Sequence, residues 1–551
     1  MKAAIVAVLF FVAAASAALA GEESPVIWKD NDDLPIAEPA EDPEGDYIWW
    51  DGFHNMALYP AGKLLDLGQL ARSVGQLLRI VGPVEAADVN RLDEVPDSTW
   101  FTNRQALHRL DAKALARGPD TNHAPASEGP LAVLSGKSLG MTPGFIVRDA
   151  KGDRYVVKFD APDYPELATG AELVCSKIVW ALGWNVPEYY LFLFDPERLT
   201  IAAEATAKDP YGRKVPFTRE LLKEQLSHAY RMADGRVRAL ASRMIAGTPK
   251  GPPRMVGVRP DDPNDTVRHE DRRSLRGLRT VAAFISYTDG RRGNFFDSFV
   301  RDSREETSGG HLVHYLLDFS SGFGAGNIDY KDPKLGHEYL FDPPKVLWRL
   351  LTLGLAEPDW DRLPLTHPTL GYFESSIFDP EQWKPTYLNP IFDRATLRDR
   401  FWGAKLVASL SEEDLRIVSH AGGWSDPHVA DLLAGILIER RRRIARAYFD
   451  WRRINPLDRF SVHDSVLSFE DLAVASGVVE ASVARYRFRS AESDWMTSTS
   501  PRVPVEVSDR EQRIEIETSY DAGERWSPPV RLVLARFAGK LQAAELERIV
   551  R

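Results

Sequence analysis

The sequence predicts an α+β protein of 551 residues with more than one domain. Three observations predict it. Short β-rich runs surround one helical pattern between Leu131 and Phe194, and helical periodicity returns from about 396 to 453. Alternating strands with turn residues between them then fill about 460–551, the spacing of a small β-sandwich-like domain.

Composition fits a packed globular chain, with 44% hydrophobic, 27% charged and 10% aromatic residues. The 69 basic and 80 acidic residues give −11, which argues against grip on nucleic acid by counterion release. The opening MKAAIVAVLFFVAAASAALA reads as a signal peptide over residues 1–20, with Lys2, a short apolar run and a small-residue site at Ala18-Leu19-Ala20. Cleavage after Ala20 leaves 551 − 20 = 531 residues and, without Lys2, a charge of −12. Gly21 is not a lipidatable cysteine and no later run is long and apolar enough for a transmembrane segment, so export to the periplasm or medium is expected. The one cysteine, Cys175, excludes an internal disulfide and a multi-cysteine zinc site, and is read as a small core residue.

Residues 21–94 read as an acidic, proline-punctuated lead-in that Trp28, Trp49 and Trp50 anchor, followed by an amphipathic helix. That helix covers Lys63–Val81, with Leu64, Leu67, Leu70, Val74, Leu77 and Leu78 on one face. Over 95–195, Phe145–Arg148 and Tyr155–Phe159 form a hairpin about Asp149–Asp153, and Thr169–Leu182 forms a helix stopped by Gly183. Tyr189–Phe194 is apolar throughout and is predicted as a central strand. A charged, proline-rich excursion fills 195–277, and Leu278–Tyr287 is a buried helix. Asn294–Val300 and His311–Phe319 make a second hairpin. Thr396, Ser411 and Asp426-Pro427 begin helices, the last running through Trp451.

The chemistry concentrates in Thr288-Asp289-Gly-Arg-Arg-Gly-Asn294 and, across the second hairpin, Leu317-Asp318-Phe319-Ser320. Asp289, Asn294 and Asp318 bring three oxygen-bearing side chains toward one spot, a set suited to Mg²⁺ and phosphate. Upstream, Lys158 ends a strand and Glu172 follows 14 residues later on a helix, where it can pair with the lysine; Glu166 is a rival partner. A glycine-bearing turn with Gly136, Gly140 and Gly144 precedes both and can lie over a nucleotide. Other signatures are missing: no Walker A, no HExxH and no G-x-S-x-G. His311 and His314 fall on opposite faces of their strand, against zinc, and Arg440–Arg443 reads as a solvated basic face.

Taken in order, glycine-bearing turn, strand lysine, helix glutamate, D-x4-N loop and Asp-Phe site, the chain resembles a protein-kinase-like fold over about 95–450. The resemblance is to atypical members: phosphatidylinositol kinases, HipA-type toxin kinases and CotH-type spore-coat kinases. Asp261–Asp265, His269–Leu278 and Tyr287–Asp289 also resemble a bacterial group of exported kinase-like proteins of undetermined function. It implies a bilobal domain, with an N-lobe over 95–195 and a C-lobe over 196–455, between an N-terminal helical extension and the C-terminal β domain. It implies ATP and Mg²⁺ as cofactors, with Gly136, Gly140 and Gly144 covering the nucleotide, Lys158 on its phosphates and Glu172 orienting that lysine. Asp289 would be the catalytic base toward an unknown acceptor hydroxyl, and Asn294 and Asp318 the metal ligands. The chain departs from the pattern in having no HRD, DFS in place of DFG, no APE and no GxGxxG. Phosphoryl transfer is the expected activity, with nucleotidyl transfer open on the same scaffold. The alternatives are an inactive pseudokinase serving as an envelope scaffold, and wall or polysaccharide binding through residues 460–551.

Overall fold

The computed structural model describes residues 26–41, 83–136, 143–208, 213–302, 309–490, 493–506 and 510–551. The expected signal peptide, the Lys63–Val81 helix, Trp49, Trp50 and Gly140 lie outside the described residues. The chain divides into two compact units, one of residues 30–88 and 97–448, the other of 1–29, 89–96 and 449–551.

In the larger unit, a seven-stranded sheet is built from β1 (Leu131–Gly136), β2 (Gly144–Arg148), β3 (Arg154–Phe159), β4 (Tyr189–Phe194), β5 (Leu199–Lys208), β6 (Lys214–Pro216) and β7 (Val237–Arg243). Its order is β4-β7-β3-β2-β1-β5-β6. The β2–β3 turn closes because the Asp149 carboxylate accepts the amides of Lys151 and Asp153, both at 3.0 Å, while Gly152 takes a φ of 92°. Phe145, Val147, Tyr155, Val157 and Phe159 are buried in one core with Phe192 and Phe194. Helix α1 (Leu167–Leu182) follows β3 and is buried along nearly its whole length.

Two sequence expectations fail in this sheet. Tyr189–Phe194 is an edge strand, not a central one. Its Tyr190, Phe192 and Phe194 are buried in the sheet's own core, the Tyr190 hydroxyl accepts the His123 amide at 3.0 Å, and Leu191 is left 37% exposed. The central place beside β3 belongs to β7, within the stretch read as an excursion. Its small residues Ala239 and Ala241 are fully buried, while Arg238 donates to the Gly423 carbonyl at 2.7 Å and lies 3.7 Å from the buried Asp160 carboxylate.

The second lobe of this unit is largely helical. A small sheet of order β10-β9-β8 comprises β8 (Thr248–Gly251), β9 (Phe295–Arg301) and β10 (Gly310–Leu316). Helix α2 (Leu278–Phe284) is buried at every residue, and α3 (Pro343–Leu351) at none. Helices α4 (Leu397–Ala408) and α5 (Glu412–His420) start at Thr396 and Ser411 as expected, each with a reciprocal capping box. Helix α6 (Pro427–Tyr448) stops three residues short of Trp451. Its Arg440 is buried, contrary to the solvated face read for 440–443, and donates to the carbonyls of Ala283, Phe284 and Glu374 at 2.7, 2.9 and 2.6 Å. The lead-in is tied by Asp32, whose carboxylate accepts the Thr99 amide and hydroxyl, and by pairing of Ile36 with Gly310. Trp28 is an exposed side chain and no anchor.

The smaller unit is mostly β, with a short helix at Leu472–Ala475. A three-stranded sheet of β11 (Leu457–His463), β12 (Val466–Asp471) and β15 (Arg502–Pro504) shares a core with a second sheet. The second sheet has the order β14-β13-β16-β17-β18, made by β13 (Arg485–Ser490), β14 (Met496–Ser498), β16 (Gln512–Ser519), β17 (Val530–Phe537) and β18 (Lys540–Arg548). Leu467, Ile516 and Leu532 are fully buried between them, the sandwich-like arrangement expected from the alternation. Among the described residues no helix is long and apolar enough to cross a membrane.

Candidate active site

The site is assembled by one strand, one helix and two loops. Lys158 lies on β3 opposite Gly144 of β2 and Leu240 of β7, and is 7% exposed. Two residues on, the fully buried Asp160 carboxylate accepts the amides of Ala168 and Thr169 at 3.0 and 2.9 Å and the Thr169 hydroxyl at 2.6 Å. These are first-turn amides with no partner inside the helix, so Asp160 pins the start of α1 to the end of β3. Burial raises the Asp160 pKa above the ordinary aspartate value, against those hydrogen bonds. The pin fixes the register of α1, and Glu172 falls over Lys158.

Lys158 Nζ donates to both Glu172 oxygens at 2.8 and 3.0 Å and to Asp318 Oδ1 at 2.9 Å. Burial opposes the ammonium, but Asp318 and Glu172 outweigh it and hold the lysine pKa above its usual value. Glu166, the rival partner, instead accepts the Ser425 amide at 3.0 Å. Asp318 sits at φ 57°, the left-handed region a β-carbon disfavours, and its Oδ1 also accepts the Ser320 hydroxyl at 2.5 Å. Three elements secure that backbone. The Leu317 amide donates to the Asn294 carbonyl at 2.8 Å, the Tyr287 hydroxyl to the Leu317 carbonyl at 3.1 Å, and Phe319 packs on Tyr287 with centroids 5.2 Å apart. Gly322 then passes so close to α1 that a β-carbon there would lie 2.5 Å from Cys175 Sγ, which gives the lone cysteine a packing role. Burial pushes the Cys175 thiol pKa up.

On the second loop, Asn294 Nδ2 donates to the Asp289 carbonyl at 2.6 Å and to its carboxylate at 3.1 Å, while Arg291 Nε lies 3.1 Å from the other carboxylate oxygen. Burial raises the Asp289 pKa, with Arg291 and Asn294 acting against it and Asp318 adding to it. A shallow recess adjoins the loop, lined by Thr288, Gly290, Arg291, Tyr387 and Asn389 among others.

The structure thus brings Lys158, Glu172 and Asp318 into direct contact, and Asp289 with Asn294 next to them in the chain of hydrogen bonds. The glycine turn is different. Gly136 and Gly144 end β1 and begin β2, and a β-carbon on Gly144 would lie 2.1 Å from the Val157 carbonyl oxygen. Close strand pairing accounts for Gly144.

Two residues that sequence reasoning missed hold the loops. Lys331 Nζ donates to the carbonyls of Ser286 and Phe323 at 2.5 and 2.7 Å, two residues that both have positive φ. Together with Arg440 it satisfies carbonyls at the end of α2, where the Asp289 loop begins. Burial lowers the Lys331 pKa to about 7 and that of Arg440 to about 9. Lys331 has no motif around it and Arg440 sits in an arginine run that reads as solvated, so only the fold reveals them. The segments Asp261–Asp265 and His269–Leu278 carry a buried ion-pair network. Asp265 accepts from His269 Nε2 at 2.8 Å and Arg272 at 2.9 Å, Arg273 and Arg276 meet Asp399 at 3.1 and 3.4 Å, and all six side chains are buried.

Among the described residues no group of three His, Cys, Asp or Glu side chains could hold a metal ion. With the Glu172 carboxylate holding Lys158, the oxygens left for a cation are those of the Asp318 carboxylate and the Asn294 amide, whose nitrogen is spent on Asp289. That donor set fits a hard cation that keeps waters and phosphate oxygens in its shell, and does not fit zinc.

No protein-family model matches the sequence, and no match to a curated protein was found. Among solved structures, the chain is similar to a Helicobacter pylori proinflammatory kinase, CtkA, at 13% identity over 57% of this chain and 92% of that one, with a TM-score of 0.28. It is also similar to the Golgi casein kinase with Mn/ADP bound, at 11% identity over 57% and 74% with a TM-score of 0.24. A further structure of the Golgi casein kinase gives 11% identity over 75% and 94% and a TM-score of 0.26. The fold class follows from the chain itself. A β-rich lobe presents a strand lysine to a helix glutamate, and a helical lobe presents a D-x4-N loop and an Asp-Phe turn: an α+β, bilobal, kinase-like fold.

Proposed function

We propose that this chain is an exported, atypical kinase-like protein that binds ATP with Mg²⁺ and transfers a phosphoryl group to an acceptor hydroxyl. The observation that carries the reading is the buried contact of Lys158 with Glu172 and Asp318. A buried ammonium between two carboxylates is costly to assemble and adds little to stability over an apolar trio, so its use is better sought in ligand binding. In this reading Lys158 turns from Asp318 to phosphate oxygens while Glu172 keeps it in place, and Asp318 and Asn294 hold the cation. The cation supplies charge neutralisation on the phosphates. Asp289, aimed by Asn294 and Arg291, accepts the proton of the acceptor hydroxyl, and its raised pKa suits a base better than an ordinary aspartate. This reading gives the acceptor the recess beside Gly290 and Arg291, the neighbours of Asp289 in the loop.

The test is transfer or hydrolysis of γ-labelled ATP by the purified chain. Asp289→Asn should retain nucleotide binding and lose turnover by about 10²-fold or more. Binding without turnover in the wild type would favour the pseudokinase reading.

A further inference from the structure

Lys331 and Arg440 are both buried, and among the described residues neither meets a carboxylate. Lys331 Nζ spends two of its three N–H groups on the Ser286 and Phe323 carbonyls. Arg440 donates to the carbonyls of Ala283, Phe284 and Glu374, with its guanidinium 3.6 Å from the centroid of the Phe378 ring. The acids nearby are engaged elsewhere. The Glu374 carboxylate accepts the Ser376 hydroxyl and the Ile377 amide at 2.9 and 2.8 Å, Asp332 meets Lys334 at 3.3 Å, and Asp289 acts on Lys331 from beyond contact. Two buried charges with no counter-charge beside them are costly, and carbonyl dipoles do not neutralise them.

Both cations line a small cavity of about 30 Å³. A water-sized particle needs about 10–15 Å³ of such space, so there is room for a monatomic ion and a water, and none for a nucleotide or a sugar. The same cavity holds a donor with nothing to donate to: Trp383 is 3% exposed, and its Nε1 has no hydrogen-bond partner among the described residues. Gly336, at φ 101°, keeps the space beside it open, since a β-carbon there would lie 3.5 Å from Trp383 Nε1 and 3.8 Å from Ser286 Oγ. An indole N–H and an ammonium can only donate, so the occupant has to be an acceptor. A water would answer the indole and leave both charges unmatched. We infer that this cavity binds a small monovalent anion of the halide class, held by Lys331, the Trp383 N–H and the Ser286 hydroxyl, with the charge of Arg440 at its wall. Lys331 braces the Ser286 carbonyl just before the Asp289 loop, so the anion neutralises the cation that holds that loop. The inference is independent of the nucleotide reading, since Lys158, Asp289 and Asp318 take no part in holding the ion.

The experiment is thermal denaturation of the purified full chain at fixed ionic strength, with sodium gluconate, whose anion is too large for the cavity, replaced stepwise by sodium chloride or bromide. The wild type should melt about 2 °C or more higher in the halides. Trp383→Phe, which keeps an aromatic ring and removes the N–H, should lose most of that rise. No rise in the wild type, or an equal response in Trp383→Phe, overturns the inference. Should Trp383→Phe not fold, wild-type crystals in bromide decide the matter. An anomalous peak beside Trp383 Nε1 and Lys331 upholds the site. A water there, or bromide on the surface alone and so an adventitious ion only, overturns it.

Discussion

Lys158 and Glu172 stand 14 residues apart in sequence and 2.8 Å apart in space, both nearly inaccessible to water. Asp318, 160 residues beyond the lysine, closes the same contact at 2.9 Å. Removing the cation strands two carboxylates. Lys158→Met should cost about 3 kcal/mol or more of unfolding free energy, read by chemical denaturation. Glu172→Gln, which keeps shape and one acceptor, should cost less. Equal stability of Lys158→Met and wild type would mean that the pair is not formed in solution.

Turnover should show a pH limb belonging to Asp289. Its folded pKa is raised, so the carboxylate is lost, and with it activity, as pH falls through a value above the ordinary aspartate range of about 3.9. Arg291 pulls that pKa down, so Arg291→Gln should move the limb to higher pH. A shift to lower pH, or none, contradicts the assigned contact.

Acid stability should report on Asp265. Burial alone would raise its pKa, but His269, the Arg259 amide and Arg272 overcome it and lower it from 3.8 to about 2. A depressed carboxylate stabilises the fold above its unfolded pKa, and that stability is lost as pH falls from about 4 toward 2. The contribution is about 2 kcal/mol. Asp265→Asn should flatten the pH dependence of unfolding across that window, measured by denaturant titration at each pH.

Gly170 tests the packing that positions Glu172. A β-carbon there would lie 1.9 Å from the Trp424 ring, one helical half-turn before the glutamate. Gly170→Ala should therefore destabilise by about 1–3 kcal/mol and weaken nucleotide binding through the displaced Glu172. The double variant Gly170→Ala/Trp424→Leu should recover part of both losses.

Much of the site was legible because its parts are local. Asp-x4-Asn, Asp-Phe-Ser and a lysine closing an apolar strand are short patterns, and the hairpins that carry them follow from β-branched runs and Asp/Gly turns. What escaped was decided by distant chain. Strand β7 reads as charged loop because Arg238 finds its counter-charges, Asp160 and Glu166, and the carbonyls it donates to, 184 and 185 residues away, only in the folded chain. Tyr189–Phe194 reads as central because an edge strand packed into the sheet's core carries nearly the same apolar signature as a central one. Lys331 and Arg440 look like surface cations, and only the carbonyls they cap, around Ala283 to Ser286 and Phe323, give them a role. Gly144 was read for a ligand, and the strand beside it accounts for it.

The central claim is that Lys158 and Asp318 exchange their mutual contact for phosphate and a divalent cation. Thermal denaturation of the wild type with Mg-ATP tests it most directly. A rise in melting temperature that grows with ligand concentration, needs the metal, and vanishes in Asp318→Ala is the predicted result. No rise with any nucleotide and metal, or an undiminished rise in Asp318→Ala, would contradict the account.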